Sequence, residues 1–102
     1  MTIDLKPNEV VVKAGDSKHY NSEEKIDGKL ILTNQRIYFK TINKECNRFN
    51  QEILPEEIKE VHYFNTNLFS ANGLNVITKD GQELKFSIKK RNTWCEAINK
   101  MY

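Results

Sequence analysis

GKLILTNQRIYF, residues 28–39, is the stretch whose reading decides the fold. A two-residue loop at Asn34-Gln35 turns the chain back on itself, and side-chain parity then sets the pairing. Thr33 faces Arg36, Leu32 faces Ile37 and Leu30 faces Phe39, which makes one face of the hairpin wholly apolar. The other face carries Ile31 against Tyr38 and Lys29 against Lys40. A second hairpin, within 73–88, yields to the same test. Taken as a two-residue turn, Asp80-Gly81 would set Val76 opposite Lys85 and Leu74 opposite Ser87, mixing the faces. A three-residue loop, Lys79-Asp80-Gly81, with Gly81 left-handed in a bulge, pairs Val76 with Leu84 and Leu74 with Phe86. The second register keeps one face apolar and is the one expected.

Working outward, short apolar runs separated by turn signals predict strands near 9–14, 28–33, 36–42, 48–54, 58–64, 73–78 and 82–88. The tail RNTWCEAINKMY changes period. Trp94, Ile98 and Met101 fall at helical spacing, and Asn92 is the expected N-cap. Seven strands and one terminal amphipathic helix describe a mainly β domain, a barrel or sandwich, spanning residues 1–102. Between the fifth and sixth strands lies NTNLFSAN, 65–72, where Leu68 and Phe69 sit in otherwise polar loop chemistry. They read either as a satellite contact under the sandwich or as an exposed interaction tip for a partner or a bilayer.

Composition narrows the class. The 102 residues are 38% hydrophobic and 29% charged, which excludes disordered and collagen-like chains. Sixteen Lys and Arg against fourteen Asp and Glu leave +2, without the overall basic field of a nucleic-acid binder. Val10–Val12 and Leu30–Leu32 are the longest apolar runs, far short of the roughly 20 residues of a membrane span. MTIDLKPNEV has no stretch of signal-peptide length, so a cytoplasmic location is expected. Cys46 and Cys95 form no CxxC and are expected to be reduced thiols, with no metal site and no cofactor. G-x-S-x-G, P-loop, H-E-x-x-H and G-x-G-x-x-G motifs are all missing, so the chain does not read as an enzyme. Glu23-Glu24 and Glu56-Glu57 read as solvated turns.

Gly28, Leu30, Leu32, Thr33, Asn34, Arg36 and Phe39 match, position by position, the central hairpin of GRAM domains. ILPEEIKEV, 53–61, resembles the proline-marked strand start of that family, and 73–94 resembles its closing hairpin and helix start. The resemblance covers roughly residues 9–101 and is closest to small bacterial GRAM-like proteins. It implies a pleckstrin-homology-like fold: a seven-stranded sandwich or partly open barrel of two near-orthogonal antiparallel sheets, capped by one C-terminal helix. It also implies a packing role for His19, which falls in the long connection after the first strand.

Topology places the basic residues. Antiparallel pairing is expected to gather Lys13, Lys29 and Lys40 at one mouth of the sandwich, with Lys44 in the next loop. In pleckstrin-homology-like domains the resemblance makes that mouth the candidate for an anionic headgroup. Against it, residues 13–29 carry as many acids as bases, and Lys29-Leu30-Ile31 lacks the arginine of the usual lipid signature. Lys85 and Lys89-Lys90-Arg91 form a second basic group, read as solvated edge protection with no aromatics interleaved. The function expected is a non-catalytic binding module, engaging a protein partner or a second copy of itself. The alternative is a peripheral membrane module recognising anionic phospholipid; nucleic acid is not an expected partner.

Overall fold

The structure, a computed structural model, describes residues 4–21, 24–66 and 71–102. The strands are β1 (Val11–Asn21), β2 (Glu24–Thr33), β3 (Ile37–Thr41), β4 (Gln51–Ile53), β5 (Ile58–Phe64), β6 (Gly73–Thr78) and β7 (Glu83–Ser87). The helix α1 follows at Arg91–Asn99, and short 3-10 turns occupy Lys44–Phe49 and Pro55–Glu57. All pairings are antiparallel, in the order β4-β3-β2-β1-β7-β6-β5. The layers expected as two sheets are thus halves of one sheet, joined where Lys18–Tyr20 of β1 pair with Lys85–Ser87 of β7. No pairing joins β4 to β5 among the described residues, so the barrel is open.

Both hairpin registers follow the parity rule. Leu32 pairs with Ile37, Leu30 with Phe39 and Lys29 with Lys40, while Val76 pairs with Leu84 and Leu74 with Phe86. Gly81 adopts φ 90°, the left-handed position the three-residue loop requires. These inward residues meet Trp94 and Ile98 of α1 in one core. Their stripe faces inward as the helical period predicted, with Met101 half-buried beside it.

Three boundaries differ from expectation. β1 runs on to Asn21 and β2 starts at Glu24, so His19 lies in a strand, paired with Ile26, not in a connection. The extension, GDSKHYN, buries only Ser17 and His19 and carries no apolar run, which is why the period-2 signal was faint. The fourth strand shrinks to Gln51–Ile53 because Asn43 Oδ1 accepts from Glu45 N at 2.9 Å and starts a 3-10 turn. α1 begins after Lys90 rather than after Asn92: the Lys90 carbonyl accepts from Thr93 Oγ1 at 2.8 Å and from Thr93 N at 3.0 Å. Leu68 and Phe69 lie outside the described residues.

The long β1–β2 hairpin passes closely over β3 because Gly28 has no side chain. A Cβ there would meet Lys40 O at 2.4 Å and Phe39 Cζ at 2.5 Å. Gly28→Ala is therefore expected to cost about 1–3 kcal/mol by overpacking, read as a lower urea midpoint at unchanged slope. An unaltered midpoint would mean that β3 can move aside.

Candidate functional site

In the loop Thr33-Asn34-Gln35-Arg36 each residue holds the segment that precedes β1. Thr33 Oγ1 donates to Glu9 Oε2 at 2.6 Å. Asn34 Oδ1 accepts from Val10 N at 2.7 Å, and its Nδ2 donates to Asn8 O at 3.1 Å. Gln35 Nε2 reaches Pro7 O at 2.9 Å. Arg36 meets Glu9 through Nε at 2.8 Å and Nη2 at 3.1 Å, a bidentate pair, and Glu52 through Nη1 at 2.6 Å. The Arg36 hydrogen bonds, helped by Thr33 and against the opposing effect of burial, hold the Glu9 carboxyl at about 2. Arg36 is correspondingly raised, by Glu9 first. With its guanidinium committed inside the chain, Arg36 is a structural cation and not a ligand-binding one.

The lysines expected at one mouth are divided. Lys29 and Lys40 stand opposite each other, as the register required. Lys13 pairs instead with Leu32, three positions along β2 from Lys29, and the alternation of a strand puts it on the other face. The added length of β1 carries it there, since the register runs unbroken from Asn21 opposite Glu24 to Lys13 opposite Leu32. Lys44 opens the 3-10 turn after β3. Carboxylates sit near two cations of the hairpin: Lys29 Nζ is 3.8 Å from Asp16, and Lys18 Nζ is 4.0 Å from Asp27.

The second basic group does meet aromatics, contrary to expectation. Lys85 Nζ lies 5.7 Å above the Phe64 ring and the Arg91 guanidinium 4.3 Å above Tyr63. Register explains the first, since β5 and β7 flank β6 and set Lys85 and Phe64 on one face, while Arg91 reaches Tyr63 from the start of α1. His19 packs 4.9 Å from Phe86 and 5.5 Å from Phe39, its Nδ1 donating to Lys85 O at 3.0 Å. Burial lowers its pKa, which keeps the ring neutral. Among the described residues no three His, Cys, Asp or Glu side chains converge as metal ligands.

A concave surface larger than the one beside Lys18 and Asp27 lies along the start of β1. A cavity of about 610 Å³ opens between the start of β1 and α1, over Leu32, Ala97 and Met101. It shares Lys13 and Thr93 with a second cavity, of about 300 Å³, that continues past Gly15 to Lys89 and Lys90. Val12 lines the larger cavity, and Val10, Val11 and Val12 are 62%, 43% and 56% exposed. The sequence held the signal: three consecutive apolar residues in a strand cannot all face one core.

No known family model matches the chain, and no curated protein matches it. Solved structures do. The C-terminal domain of an unknown protein from Leishmania infantum superimposes with a TM-score of 0.79 at 14% identity, covering 93% of this chain and 85% of that one. The Vps36 N-terminal PH domain gives 0.71 at 17% identity, covering 95% and 81%. The Slm1-PH domain in complex with inositol-4-phosphate gives 0.65 at 13% identity, covering 89% and 96%. The fold is therefore pleckstrin-homology-like. No helix among the described residues is long and apolar enough to cross a membrane.

Proposed function

We propose that the chain is a non-catalytic binding module of the GRAM type that acts as a protein-interaction adaptor. The observation that carries this reading is the continuous apolar-floored trough between β1 and α1, whose larger cavity measures about 610 Å³. The GRAM assignment is supported by the Thr33–Arg36 loop: the residues of the family-like motif are those that fasten the Asp4–Val10 segment to the sheet.

A second reading, recognition of anionic headgroups at a membrane surface, is favoured by the Lys29–Lys40 pair and by the inositol-4-phosphate complex of the Slm1-PH neighbour. Asp16 and Asp27, close to Lys29 and Lys18, weaken that field. Flotation with acidic against neutral vesicles tests the choice. The adaptor reading expects equal, negligible recovery with both at physiological salt. Recovery specific to acidic vesicles, abolished by Lys29→Ala with Lys40→Ala and by roughly 0.5 M salt, would install the headgroup reading instead. The double variant itself is expected to keep its stability within about 0.5 kcal/mol of the parent, since half-exposed charges near the surface contribute little.

A further inference from the structure

We propose that the open edge of β1, Val11–Asp16, takes up an extended, acid-rich segment of a partner protein as an added strand seated against α1. The proposal rests on the adaptor reading and specifies its ligand. β1 is laddered to β2 along its length but to β7 only over Lys18–Tyr20. Among the described residues, Val11–Asp16 make no backbone hydrogen bond to any element other than β2. Alternate amide and carbonyl groups of six residues thus face outward, over roughly 20 Å at about 3.3 Å per residue. An edge of that kind is a template for strand addition, in which main-chain bonds give affinity and alternate side chains give specificity.

The space and the charge agree. The two cavities that share Lys13 and Thr93 flank this strand, the smaller between Lys13–Asp16 and Ile88–Lys90 and the larger reaching from Val12 over Leu32–Asn34 to α1. Val12 and Met101 supply apolar wall to the larger cavity. Lys13, Lys89, Lys90 and Lys100 line the same trough, and none of them has a carboxylate within 4.0 Å among the described residues. The acids of the trough are Glu96 and Asp16, and Asp16 already lies 3.8 Å from Lys29. An acidic strand would complete these cations, whereas a second copy of β1 would bring Lys13 toward lysines.

A displayed library of random nine-residue peptides supplies the probe, followed by amide exchange and NMR mapping of the enriched peptides. The expected peptides are acid-rich, slow exchange at Val11–Asp16 and shift Thr93–Met101. Lys13→Glu with Lys100→Glu should weaken them about tenfold or more. Methylating alternate backbone nitrogens of the peptide should abolish binding, and this arm is independent of any folding defect in the variants. Peptides that are enriched but map to another surface, or that ignore both the charge reversal and the methylation, would overturn the strand-addition site and leave the adaptor reading standing. Enrichment of nothing would overturn the site, and, joined to specific capture by acidic vesicles, would overturn both.

Discussion

A chain ending at Lys90 is expected to be largely unfolded. Removing α1 takes Trp94 and Ile98 from the core, where they are 4% and 0% exposed. Truncating a buried Trp to Ala costs about 3–5 kcal/mol and a buried Ile about 2–5 kcal/mol. The total stability of a domain this size is about 5–15 kcal/mol, so the two losses together consume most of it. Arg91 is lost as well, and with it the bonds from Nη1 to Phe64 O at 2.8 Å and Gly73 O at 3.3 Å that fix α1 to β5 and β6. Collapsed amide dispersion in NMR and a missing thermal transition are the expected signs. An unchanged melting temperature in the truncated chain would show that α1 is an appendage.

Arg36→Ala should be the most damaging point change at the β2–β3 loop, at about 3–5 kcal/mol. It strands the Glu9 carboxylate, whose side chain is fully buried, without its bidentate partner. Glu9→Gln keeps the shape, removes the charge and is expected to cost about 1.5–3 kcal/mol, the worth of a charge-assisted hydrogen bond. The pH dependence follows from the depressed Glu9 pKa, about 2 in the folded chain against 4.5 ordinarily. Below both values the carboxyl is protonated in either state, and above both it is ionised in either state. Its stabilisation is therefore complete above about pH 4.5 and is lost as pH falls through about 2. Urea midpoints recorded across that window should fall more steeply for the parent than for Glu9→Gln. Parallel curves would mean that Glu9 is not the group responsible.

Much of the architecture was legible because a strand's side chains alternate strictly. Leu30, Leu32, Ile37 and Phe39 admit one register that buries them all, and the structure adopts it. Parity also placed Lys29 across from Lys40. The placement of Lys13 failed because β1 runs on to Asn21, and its unbroken pairing with β2 back from that turn sets Lys13 opposite Leu32 rather than beside Lys29. The far half of β1 was hidden for a different reason: Asp16 and Lys18 are solvent-side residues, and the inward positions hold Gly15, Ser17 and His19 in place of aliphatic side chains. Thr33, Asn34 and Arg36 stood out as a motif, while Glu9 did not. A carboxylate 27 residues upstream reads as one more surface charge until the fold buries it. The trough was least legible of all, since it is made by a strand that β7 does not reach and a helix that crosses beside it.

An amide-resolved NMR titration with a soluble inositol phosphate at physiological ionic strength tests the adaptor reading most directly. That reading predicts no saturable shifts around Lys18, Lys29 and Lys40, because Asp27 and Asp16 lie within 4.0 Å of the first two. Saturable shifts centred on those lysines, lost in the Lys29→Ala and Lys40→Ala double variant, would contradict it.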